Sequence, residues 1–142
     1  MTNWQELAVT SHYQTAVAVE EALQRGDVPD AAAGIQELID ALSRADKRAL
    51  RSQLIRLMTH VIKWKSQPEK RSRSWRQTIR NARQEIADLQ EDTPSLTREV
   101  IEGMWANSLA SAKENAEDEM NQETSVPKLT WNEVFEKEYK VE

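Results

Sequence analysis

Residues 60–83 read HVIKWKSQPEKRSRSWRQTIRNAR. Two apolar helical stripes meet here across a proline. Upstream, Leu50, Leu54, Leu57, Met58, Val61, Ile62 and Trp64 recur at helical spacing and make a wide apolar face. Downstream, Trp75, Ile79, Ala82, Ile86 and Leu89 follow at steps of four, three, four and three. Pro68 disfavours helical geometry at Gln67, so the first helix should end near Lys65. The second should begin around Ser72 or Ser74 and run to about Gln90. A helical hairpin cornered at Gln67-Pro68 is the element from which the fold is read, and the class it implies is all-α.

Working outward, the chain before the hairpin reads as helix from about residue 4 to residue 25, with His12, Ala16, Val19 and Leu23 on one face. Gly26 suits a helix C-terminus, and Asp27-Val28-Pro29 is a short break. Asp30 then caps a helix ending near Leu42, whose stripe is Ile35, Leu38, Ile39 and Leu42. Residues 43–50, SRADKRAL, hold no Gly or Pro, and Ser43 with Asp46 makes a capping box. A tight turn or a kinked continuation both fit there. After the hairpin, Thr93-Pro94 suits an N-cap and first helical position for a fifth helix carrying Leu96, Val100, Met104, Leu109 and Ala112, with Trp105 alongside. That helix should fray near Met120. Thr130-Trp131-Asn132-Glu133 is a capping box before Val134 and Phe135. No run alternates as a half-buried strand does. The expectation is a single-domain bundle of four to five mostly antiparallel helices over residues 1–122. Residues 123–142 then form a C-terminal segment whose short helix packs Trp131, Val134 and Phe135 back on the bundle.

The chain has 142 residues, 39% hydrophobic and 30% charged, with three glycines and four prolines, which suits one core built from long elements. It has no cysteine, which removes disulfides, thiolate zinc sites and thiol nucleophiles together. The opening MTNWQELAVT has neither a basic start nor a long apolar run, and no window approaches a membrane span. A soluble cytoplasmic protein without membrane contact is expected. Net charge is −5, unevenly spread. Residues 63–83 hold eight Lys/Arg against one acid, Glu69, whereas residues 84–142 hold five basic and fifteen acidic residues.

The hairpin also carries a family signature. Leu50-x3-Leu54, HVIKW at 60–64, Gln67-Pro68, Arg71-Ser72-x-Ser74-Trp75, Thr78-Ile79 and Arg83 resemble the bacterial, largely cyanobacterial family called domain of unknown function 29. The TPSL at 93–96 and WNEVF at 131–135 stand where that family has a Pro-Ser-Leu helix start and a final "TLEQLL"-like segment. The chain departs from the pattern in three places. Its first helix matches weakly, Ser43-Arg44-Ala45 replaces a glycine, and Lys128-Leu129 stands where a cysteine-proline is often found. The resemblance implies an all-helical fold in a small bacterial protein and no established activity. The motif residues His60, Trp64, Gln67, Pro68, Ser74, Trp75, Thr78 and Ile79 are expected to be structural.

The basic strip, Lys70, Arg71, Arg73, Arg76 and Arg80, supports three readings. It could offer Arg forks to phosphates, with Trp64 or Trp75 available to stack on bases. Its charges could instead be neutralised inside the molecule by the acidic fifth helix, with both tryptophans in the core. Or Arg and Trp beside a turn could form a protein-recognition surface, since these residues dominate interface hot spots. The third ranks first: a non-enzymatic interaction module using the hairpin at 63–83, binding a protein partner or a second copy. Nucleic acid or another anion is the alternative, disfavoured by net acidity. No metal, cofactor or catalytic residue is indicated. His12 and His60 share no ligand spacing, and no Glu-x-x-His pair is present. The run Glu114, Glu117, Asp118, Glu119 lacks the glycine of a calcium loop. Gly26, Gly34 and Gly103 build no phosphate-cradling loop, and no G-x-S-x-G elbow exists.

Overall fold

The computed structural model describes residues 2–141, and every regular element among them is helical. The chain divides into two compact units, Met1–Lys47 and Arg48–Glu142.

The first unit holds α1 (Trp4–Thr10), α2 (His12–Gln24) and the opening of α3 (Val28–Ser66). The single helix expected over residues 4–25 is therefore two. Ser11 is the reason: it is extended (φ −158°, ψ 117°), closes α1, and its Oγ accepts from the Gln14 N–H at 3.1 Å to cap α2. The cap of α3 is Asp27 rather than Asp30, with its Oδ1 accepting from the Asp30 N–H at 3.2 Å. Asp30 instead takes the Trp4 indole N–H at 2.8 Å. Both expected stripes in this unit are also displaced. On α2 the buried positions are Thr15, Val19 and Ala22, while His12, Ala16 and Leu23 are exposed. On the opening of α3 the buried positions are Ala31, Gly34 and Ala41, while Ile35, Ile39 and Leu42 lie exposed. Trp4 explains the second shift. A Cβ at Gly34 would meet its ring at 2.7 Å, so the indole occupies the surface that small residues leave open. The small cluster of Trp4, Val19, Ala22 and Ala31, with Leu7 and Ala18 against it, is this unit's core.

Ser43 and Asp46 cap nothing, because α3 runs through residues 43–50 as one 39-residue helix. Those residues are nearly all good helix formers, and no Gly or Pro interrupts them.

In the second unit, the later part of α3 buries Leu50, Leu54, Leu57, Met58, Val61, Ile62 and Trp64. They share one cluster with Ile79, Ala82 and Ile86 of α4 (Arg73–Asp92). Between the two helices, Pro68–Lys70 forms a single 3-10 turn. The start expected at Thr93-Pro94 falls four residues later. Thr97 caps α5 (Arg98–Gly103) through its Oγ, and residues 93–97 turn so that Leu96 is buried. Its carbonyl accepts from the Gln90 amide at 3.0 Å. Met104 breaks the expected fifth helix, and α6 (Trp105–Met120) follows. It ends at Met120 as the charge pattern implied, with Asn121 left-handed at φ 53°. The Thr130–Glu133 box forms in both directions: the Glu133 N–H donates to Thr130 Oγ1 at 3.1 Å, and the Thr130 N–H to Glu133 Oε1 at 3.0 Å. It opens a π-helical turn, Asn132–Glu136, that buries Val134. Val126, Leu129, Val134 and Tyr139 all join the central cluster, and Trp131 and Phe135 pack on it.

Candidate functional site

The corner between α3 and α4 is built by the motif residues. Gln67 leaves the helix (φ −130°, ψ 69°) and is buried, its side-chain amide donating to the Gln122 oxygen at 3.0 Å. Beside it the Ser66 and Thr124 hydroxyls meet at 2.7 Å. Pro68 sits at the first position of the 3-10 turn, where its missing N–H leaves no orphan. Ser72, not Ser74, caps α4, its Oγ accepting from the Trp75 N–H at 3.2 Å. Ser74 is exposed and gives its carbonyl to the Thr78 hydroxyl at 3.0 Å. Trp64 and Ile79 are buried; Trp75 is half-buried, with the Lys63 ammonium 4.8 Å above its ring. His60 places Nδ1 3.0 Å from the Arg56 carbonyl. Burial pulls its imidazole below the ordinary value against that hydrogen bond, with Lys63 lowering and Glu119 raising it. Among the described residues no group of acids and histidines is placed to hold a metal ion.

The charges divide by partner. Lys63 pairs with Glu119 of α6 at 3.2 Å, and Lys65 pairs with Glu133. Burial works to raise the Glu133 carboxyl, but the Lys65 ammonium and the Thr130 N–H outweigh it and hold it below the usual range. Arg71 and Arg83 are anchored to backbone instead. Arg71 donates to the Trp64 carbonyl at 2.8 Å and lies 5.1 Å above the Trp64 ring. Arg83 donates to the Val134 carbonyl at 2.7 Å and the Glu133 carbonyl at 3.3 Å, and burial lowers its pKa. Lys70, Arg73, Arg76 and Arg80 are exposed, and no ion pair joins them to a carboxylate among the described residues.

Two of those four face a concavity. Arg76 and Arg80, one turn apart on α4, line a recess of about 530 Å³ with Arg83, Tyr139 and Lys140, and the buried Ile79 also lines it. Glu138 is the one acid in the lining, and it reaches Lys140 at 3.5 Å. Tyr139 is buried edge-on against Trp64, centroids 5.4 Å apart, and its hydroxyl donates to the Glu133 carbonyl. Burial pushes its phenol up to about 12. Lys140 also lines an adjoining recess of about 400 Å³ with Pro68, Glu69 and Arg71. Lys70 and Arg73 line neither. Sequence reasoning grouped Lys70, Arg71, Arg73, Arg76 and Arg80 but missed Tyr139 and Lys140. The i, i+4, i+7 spacing of Arg76, Arg80 and Arg83 was a usable signal for the third arginine. No sequence signal tied residues 139–140 to α4.

Chemically, the recess offers cations and hydrogen-bond donors. No helix among the described residues is long and apolar enough to cross a membrane. No curated protein and no solved structure matches the chain. Residues 10–140, nearly the whole sequence, match the family described as domain of unknown function DUF29, and the chain belongs to that family.

Proposed function

We propose that this protein is a non-enzymatic interaction module whose basic hairpin face, residues 63–83, receives an acidic segment of a protein partner. The observation that carries the reading is the pair Arg76 and Arg80. Both stand exposed beside Arg83 and Lys140, while two of the acids of α6 engage other residues, Glu119 with Lys63 and Glu117 with the Thr124 N–H. Exposed arginines set in a recess next to the buried Tyr139 have the residue types of binding hot spots. A bundle of mostly antiparallel helices for the second unit, in a bacterial cytoplasmic protein, belongs to the same proposal. The cluster shared by α3, α4 and α6 supports the bundle, and the family resemblance supports the setting.

The test is capture from a lysate of the source cell by the wild-type chain and by an Arg76→Ala, Arg80→Ala double variant, whose two positions are exposed and carry no ion pair among the described residues. The expected result is loss of specific partners from the variant. Recovery of the same partners by both would overturn the proposal. Nucleic acid is the second reading, favoured by the unpaired Lys70 and Arg73 outside the recess. It requires binding that falls steeply as salt rises, and no salt-sensitive binding at low ionic strength removes it.

A further inference from the structure

The recess beside Tyr139 has a charge balance that narrows the chemistry of its ligand. Arg76, Arg80, Arg83 and Lys140 line it against the single carboxylate of Glu138. We infer that it is a phosphoryl-binding site, taking a phosphate monoester group presented by the partner; this rests on the interaction reading above. Three features support a doubly charged oxyanion over a carboxylate. First, the cation excess is larger than one carboxylate balances, whereas a phosphoryl group carries about −1.5 to −2 at neutral pH and three acceptor oxygens. Second, Arg76, Arg80 and Arg83 follow at i, i+4 and i+7 on one face of α4, so their guanidinium forks succeed one another along the recess. Third, one of these cations is pre-positioned. Arg83 is held by the Val134 and Glu133 carbonyls at 2.7 and 3.3 Å, so ligand binding need not order it, and its guanidinium keeps N–H donors beyond those two bonds. Ile79 and Tyr139, both buried, keep water from one side and strengthen each charge contact. At about 530 Å³ the recess has room for a single group more than for a repeating phosphate backbone.

The test uses the full chain, isotope-labelled for NMR, at constant ionic strength. It is titrated with inorganic phosphate, with acetate, with a phosphoserine peptide and its unmodified form, and with a single-stranded oligonucleotide. Saturable shifts at the amides of Arg76, Arg80, Arg83, Tyr139 and Lys140 are expected for phosphate and phosphopeptide. Phosphate should bind about tenfold more tightly than acetate. A tighter response to the phosphopeptide than to free phosphate identifies a protein-borne group as the source; equal responses identify free phosphate, and both keep the site. Arg76→Ala with Arg80→Ala, at two exposed positions, should weaken binding about tenfold or more, and Arg73→Ala should leave it unchanged. The inference is overturned by equal response to acetate, by shifts that do not saturate or centre on Lys70 and Arg73, or by tighter binding of the oligonucleotide. Failure here with partner capture still lost in the Arg76→Ala, Arg80→Ala variant removes only the phosphoryl assignment. Phosphate binding with capture intact removes the partner reading instead.

Discussion

At the residue scale, Tyr139 shows how one side chain joins fold and site. Its ring closes the core against Trp64, its hydroxyl ties the chain end to the π-helical turn, and its edge lines the arginine recess. Burial first, with Glu133 in support and Arg83 opposing, pushes its phenol up to about 12. An unfolded tyrosine titrates near about 10, so the folded state holds a proton that the unfolded state releases. The folded pKa is the higher of the two. The associated stability is therefore complete below about pH 10 and is lost as pH rises towards about 12, a span worth roughly 2–3 kcal/mol. Tyr139→Phe lacks that proton. The variant should be less stable by about 1 kcal/mol near neutrality, because the bond to the Glu133 carbonyl is gone. Above about pH 11 its stability should match or exceed that of the wild type. Denaturant midpoints of the two proteins across this range check the prediction, and parallel curves would contradict it.

At the element scale, the hairpin was legible and the start of α3 was not, for opposite physical reasons. The later part of α3 and all of α4 bury large side chains at helical spacing, and Pro68 fixes their corner, so pattern and packing agree. The Ser72 cap and the 3-10 turn needed geometry only in detail. In the opening of α3 the large residues Ile35, Ile39 and Leu42 lie outward, and the packed face is Ala31, Gly34 and Ala41. A search for bulky stripes is blind to a face whose value is its smallness. The basic strip was legible as composition, but which of its members share a recess depended on Tyr139 and Lys140, distant in sequence. Gly34 makes the packing argument testable. Its Cβ would sit 2.7 Å from the Trp4 ring, and that ring is tethered through its indole N–H to Asp30. Gly34→Ala should therefore destabilise the first unit by about 1–3 kcal/mol although alanine is the better helix former. Losing the distinct resonance of the hydrogen-bonded Trp4 indole N–H would report the displaced ring. An unchanged resonance with raised stability would show that the contact does not limit the helix.

At the scale of the whole molecule, the two compact units differ in what holds each together. The second buries an extended cluster reaching from Leu50 to Tyr139, in which ten Val, Leu, Ile or Met side chains are exposed by 2% or less. The first buries Trp4 and Val19 among alanines, and seven of the eight large exposed hydrophobics among the described residues, Val9 to Leu42, fall within it. Burying an alanine methyl contributes far less than burying leucine, at roughly 25 cal/mol per Å² of apolar surface. Stability should therefore be uneven, and α3 provides the cleanest gauge because one uninterrupted helix serves both units. Within one helix, intrinsic propensity shifts stability from turn to turn by about 1 kcal/mol at most, as at Gly34, so a larger step in protection must come from packing. Amide hydrogen exchange should show residues 30–45 of α3, with α1 and α2, opening at a lower free energy than residues 54–64 of α3 and 79–86 of α4. Leu57→Ala should cut protection in that second set by about 2–5 kcal/mol through the cavity it leaves. Uniform protection along α3 in the wild type would mean that the small-residue cluster around Trp4 holds as firmly as the leucine-rich one, and that packing area is not what sets local stability in this chain.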